Sequence, residues 1–87
     1  MKEIFEYNPN GVCSSKMIFE IENDVIIGLR IIGGCPGNLQ GISKLVVGMN
    51  IDDVISRLRN IKCGMKKTSC PDQLARGLEE YKRKRND

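Results

Sequence analysis

The spacing of apolar residues changes once along this chain, at Gly33-Gly34-Cys35-Pro36, and that change restricts the fold to a sheet followed by helices. Before it, Met17, Phe19 and Ile21 alternate with polar residues, the two-residue period of a strand with one buried face. Asn23-Asp24 supplies a turn, and the β-branched run Val25 to Ile32 returns as the second strand of a hairpin. Ile4 to Tyr7 adds a third strand at an edge, and Asn8-Pro9-Asn10-Gly11 is loop chemistry leading to Cys13. After the change, Leu39, Ile42, Leu45 and Val46 fall at helical spacing. A helix over about 36–47 is expected, with Gly48 as its C′ residue. Asn50 is a natural N-cap for the next helix, with Asp53 at N3, Met49 stapled onto Val54, and an apolar stripe of Ile51, Val54, Ile55, Leu58 and Ile61. Pro71 opens a last helix in which Leu74, Leu78 and Tyr81 share a face. The expected fold is α+β, a small antiparallel sheet of two to three strands followed by three helices.

At 87 residues the chain makes one domain, 1–87, small enough that a metal or disulfide staple would help it. The formal charge of +3 is mild, and Lys82-Arg83-Lys84-Arg85 reads as a solvated helix end that complements the helix dipole. A disordered basic tail is expected from about 83 to 87, and no nucleic-acid partner is expected from it. The segment Met1 to Tyr7 lacks the apolar stretch of a signal peptide, and no run approaches a membrane span, so a cytoplasmic location is expected.

Within that frame the chemistry lies in Cys13, Cys35, Cys63 and Cys70, in a chain that has no histidine. In a reducing compartment four such thiols point to metal ligation or redox work before disulfides. A ligand set of sulfur alone favours zinc, an iron–sulfur cluster or copper(I). Proline is preferred at the first helical position, so Cys35-Pro36 and Cys70-Pro71 each predict a cysteine at an N-cap, where unpaired N–H groups and the positive end of the dipole favour a thiolate. If both helix starts lie at one end of the sheet, four sulfurs could converge in a closed tetrahedral site. The spacings, 21, 27 and six intervening residues, are not those of a zinc ribbon.

Gly33, Gly34, Gly37 and Gly41 surround a helix start that could cradle a phosphate, but they lack the spacing and lysine of a P-loop. A tight strand-to-helix turn beside the cysteines is the preferred reading, with Gly34, Gly37 and Asn38 as candidate cofactor-binding positions; Asn38 and Gln40 read either as donors to a sulfur or simply as helix-start residues. Asp52-Asp53 and Asp72 read as first-turn acids facing the helix dipole rather than as an acid pair. No catalytic residue is assigned, and nothing supports hydrolysis.

The run Gly33-Gly34-Cys35-Pro36-Gly37-Asn38-Leu39, together with Lys62-Cys63-Gly64 and Thr68-Ser69-Cys70-Pro71-Asp72, resembles the TSCPD-domain family, above all its small stand-alone four-cysteine members. The likeness runs from Tyr7 to about Glu80. It implies a zinc or iron–sulfur site on the four cysteines. Related domains sit at the C-terminus of some ribonucleotide reductases, so a ribonucleoside-diphosphate reductase label follows by kinship alone; the radical barrel of that enzyme does not fit in 87 residues. More distantly, the order of elements is similar to iron–sulfur cluster assembly scaffolds of the NifU N-terminal type. That likeness matches Cys13, Cys35 and Cys70 to the three scaffold cysteines, with Cys63 as an extra and Ser14-Ser15 in place of a Gly-Asp pair.

These readings lead to a small Cys₄ metal-binding protein, acting as a cluster carrier or scaffold. Two alternatives remain: a thiol redox or electron-transfer accessory in which Cys63 pairs with Cys70, and an interaction module for a reductase or a cluster-recipient protein. A homodimer through the Ile4–Tyr7 edge is a further expectation.

Overall fold

A computed structural model describes residues 2–12, 14–33, 36–62 and 67–85. The strands are β1 (Glu3–Tyr7), β2 (Ser14–Glu22) and β3 (Val25–Gly33), in the order β1-β2-β3, both pairs antiparallel. Three helices follow: α1 (Pro36–Val46), α2 (Ile51–Leu58) and α3 (Cys70–Arg85). The α+β arrangement expected from the change of period is the one observed, with Ile4–Tyr7 as a full edge strand. The β2–β3 turn places Asn23 and Asp24 at φ 53° and 63°. Positive φ at both positions is what a two-residue hairpin of right-handed twist requires, and Asn and Asp tolerate it better than most residues.

Met17, Phe19 and Ile21 are buried along one face of β2, as alternation demands. Leu74, Leu78 and Tyr81 of α3 and Ile51 and Val54 of α2 close over that face, with Ile26 and Val46 completing the core. Phe5 packs between Phe19 and Tyr81, its ring edge-on to Tyr81 at 5.7 Å between centroids. At Gly77 the helix comes so close to the sheet that a Cβ there would stand 2.9 Å from the Tyr7 ring and 3.3 Å from Phe19. Gly77→Ala would gain about 1 kcal/mol in helix propensity. It is nevertheless expected to destabilise the fold by about 1–3 kcal/mol, because the ring must move or the helix must lift. Urea unfolding of the two proteins measures the difference.

Several details depart from the sequence expectations. Leu45 is 76% exposed, and among the described side chains of α1 Leu39 and Val46 are the buried ones, with Ile42 packed at the margin of the core. The helix ends at Val46, and Gly48 turns the chain at φ 93°. The α2 N-cap is as expected, the Asn50 side chain accepting from the Asp52 amide at 2.9 Å. Ile61 does not continue the α2 stripe. The helix stops at Leu58, Asn60 adopts φ 71°, and Ile61 is exposed. The last helix, α3, extends to Arg85. There Arg85 pairs with Asp24 and covers the Tyr81 ring, while Lys84 lies over Phe5. No helix among the described residues is long and apolar enough to cross a membrane.

Candidate functional site

The start of α3 organises one end of the molecule. Its N-cap is Ser69, where the Cys-Pro pair predicts Cys70. The Ser69 hydroxyl accepts from the Asp72 amide at 3.2 Å, and the Ser69 carbonyl receives the first helical bond, from the Gln73 amide at 2.8 Å. Cys70 is therefore the first helical residue and Pro71 the second. Ser-x-x-Asp over Ser69 to Asp72 is the spacing that announces this cap, and it outcompetes the Cys-Pro signal because a hydroxyl satisfies an amide donor better than a thiol does. The Ser69 hydroxyl also donates to the Ile61 carbonyl at 2.5 Å, which fastens the end of the α2 segment to the start of α3.

Asp72 does more than face a dipole. Its side chain is fully buried. One carboxylate oxygen accepts from the Asn60 amide at 2.6 Å and from the Arg59 guanidinium at 3.3 Å. The other accepts from the Thr68 hydroxyl at 2.5 Å and from Arg76 at 2.9 Å. Burial alone would push the Asp72 carboxyl up. The hydrogen bonds from Thr68, Arg76 and the Asn60 amide outweigh it and hold the group well below the ordinary carboxylate range. Arg59 is shared with Glu79 at 2.7 Å, which extends the network along α3.

Gln73 faces the other way. Its carbonyl oxygen accepts from the Tyr7 hydroxyl at 3.1 Å and from the Asn10 amide at 3.0 Å, while its amide nitrogen donates to Thr68 Oγ1 at 3.0 Å. The loop after β1 is thus tied to the loop before α3. Burial, followed by the nearby Glu80 charge, pushes the Tyr7 phenol up, so it stays a donor over the physiological range.

Of the four cysteines, Cys70 lies in the described structure, half-buried against the core, with its Sγ 3.4 Å from the Oγ of buried Ser14. Cys13, Cys35 and Cys63 lie outside the described residues, as does Gly34. Gly37 and Asn38 fall in the first turn of α1. The described neighbours of those three are close to one another. Ser14, next to Cys13, is paired in the sheet with Gly33, two residues before Cys35, and touches Cys70. Ile61, two residues before Cys63, is hydrogen-bonded to Ser69, next to Cys70. Among the described residues there is no group of three or more Cys, Asp and Glu side chains able to hold a metal ion. The sequence pattern marked Cys70 and passed over Tyr7, Asn10, Arg59, Asn60, Ser69, Gln73 and Arg76, whose contacts are spread over more than sixty positions of chain.

Thr68-Ser69-Cys70-Pro71-Asp72 thus forms a structural unit. Threonine bridges Asp72 and Gln73, serine caps the helix, cysteine faces Ser14, proline fixes the first turn, and aspartate gathers the α2 end. The family model for the TSCPD domain matches residues 2–82. The chain belongs to the TSCPD family. No curated protein and no solved structure matches it. Within this TSCPD domain, the motif that names the family is the segment that knots the β1–β2 loop, the α2 end and α3 together.

Proposed function

We propose that this TSCPD domain is a small metal-binding protein whose four cysteines, Cys13, Cys35, Cys63 and Cys70, hold zinc or an iron–sulfur cluster. The observation that carries the reading is the meeting of four chain segments around Cys70. Ser14, Gly33 and Ile61 are each one or two residues from another cysteine, and a chain advances about 3.8 Å per residue. The donor chemistry fits as well: with no histidine in the chain, thiolates supply a soft ligand set suited to zinc or to iron–sulfur chemistry.

In this reading the protein's own groups build a frame for the site. Ser69 and Asp72 hold the first turn of α3, which carries Cys70, against the segment leading to Cys63. Ser14 Oγ stands where a hydroxyl can donate to the Cys70 sulfur and orient it. Gly37 and Asn38, in the first turn of α1, would lie beside the bound group. The metal, when held, ties the sheet to all three helical segments and so contributes directly to folding stability. A cluster carrier or scaffold role follows where the site exchanges its contents.

The test is elemental analysis with an anaerobic absorption spectrum of the purified protein. About one zinc per chain, or iron with equimolar sulfide and charge-transfer bands, is expected. Metal-free protein that is fully folded would overturn the reading and leave thiol redox as the chemistry of these residues.

A further inference from the structure

The geometry points to a peptide-docking groove on the side of the molecule formed by β3 and α1, which takes an extended, acidic segment of a partner protein as a fourth strand. In the sheet order β1-β2-β3, β3 is an edge. Its first residues already accept a strand-like partner from within the chain. Ile26 donates to the Met49 carbonyl at 3.0 Å and accepts from the Gly48 amide at 2.7 Å, and Val25 is bridged to Asn50. Beyond that point, from Gly28 on, no strand among the described residues pairs with this side of β3. A groove of about 600 Å³ opens there between the strand and α1.

Consecutive residues Gly28, Leu29, Arg30 and Ile31 all line the groove. Successive side chains of a strand point to opposite faces, so a groove lined by both parities runs along the backbone edge itself. Such an edge offers main-chain donors and acceptors to an added strand, with side-chain positions on either face for selection. Leu29, Ile31 and buried Leu39 give it an apolar side. The charge is one-sided: Arg30 and Lys44 line it, no carboxylate does among the described lining residues, and neither cation has an ion pair among the described residues. The other edge strand, β1, differs. Its charged residues Glu3 and Glu6 are engaged by Tyr81 and Lys16, and Lys84 and Arg85 of α3 line its margin. Arg30 and Lys44 beside this backbone edge select an extended chain bearing Asp or Glu among apolar residues.

The inference stands apart from the cysteine site, and its test leaves that site untouched. A phage-displayed library of random dodecapeptides is panned against the purified full chain, and the enriched peptides are titrated by fluorescence anisotropy and by amide shifts in ¹⁵N spectra. Enriched sequences are expected to be rich in Asp and Glu alternating with apolar residues, to shift the amides of Gly28 to Ile32 and of Ser43 and Lys44, and to lose at least tenfold in affinity with R30E/K44E. Replacing a central peptide residue by proline is expected to abolish binding, since a proline cannot donate to the strand edge. No enrichment, a basic or uncharged consensus, shifts confined to other surfaces, or unchanged binding of the proline peptide would each overturn the proposal.

Discussion

Asp72→Ala is expected to lower the stability of the domain by about 3–5 kcal/mol, the range for removing one partner of a buried charged network. The loss is large because four donors depend on this carboxylate: the Asn60 amide, the Thr68 hydroxyl and the guanidinium groups of Arg59 and Arg76. For a domain of this size, the loss corresponds to roughly 4–8 °C in Tm for each kcal/mol. Asp72→Asn keeps the volume and one acceptor but turns an NH₂ donor toward two of the four donors, so it is expected to fold and to show the loss of the charge together with the hydrogen bonds to one oxygen. Because the folded carboxyl titrates below its unfolded value of about 3.9, its contribution is fully present above that pH and is lost as pH falls below it. The difference in stability between the wild type and D72N should be constant above about pH 5 and shrink steadily as the pH is lowered from about 4 toward 2. A pH-independent difference would show that Asp72 acts through shape and not through charge. Denaturant melts at several pH values, compared between the two proteins, make the measurement.

The second large effect is expected at Cys70. Two roles compete there: a half-buried thiol packed on the core, and a metal ligand beside Ser14. As core packing alone, Cys70→Ala removes one sulfur atom, and a cost of about 1 kcal/mol with unchanged metal content is all that follows. As a ligand, the same change is expected to reduce bound metal to a small fraction of a mole per chain and to lower Tm by 10 °C or more, since structural zinc contributes on the order of 10 kcal/mol of folding free energy in small domains. Ser14→Ala then gives a graded result. Removing the hydroxyl 3.4 Å from the sulfur should keep the metal bound but weaken it tenfold or more, read by competition with a chromophoric chelator. Metal loss in C70A with little change in S14A would mean that the hydroxyl packs against the sulfur without tuning it.

Much of this molecule was legible along the chain because its signals are local. Alternation at Met17, Phe19 and Ile21 reports a half-buried strand, Asn23-Asp24 a tight hairpin, and Asn50 a helix start, and each depends on residues within a few positions of itself. The signals that failed depend on distance. Leu45 matched the helical period of α1 yet stands 76% exposed, a matter of which elements pack on that side and not of spacing. Ile61 matched the stripe of α2, but Asp72, twelve positions beyond Asn60, holds the Asn60 amide past the helix end. The candidate site divides in the same way. The cysteines and the Ser-x-x-Asp spacing were present in the sequence, whereas the distant partners of Gln73 and Asp72 came from β1 and from the segment just past α2.

The amino-acid sequence alone determined the order of elements, the buried face of the sheet, the family and the absence of any imidazole ligand, because these follow from local periodicity, from composition and from a contiguous motif. Only the tertiary structure decided that Ser69 and not Cys70 caps α3, that a buried aspartate is the knot of the motif, and that Ser14, Gly33, Ile61 and Cys70 meet at one end. The reason is physical. A hydrogen bond is selected by the donors and acceptors that packing brings within about 3 Å, and no spacing within a single segment records which distant residues those are.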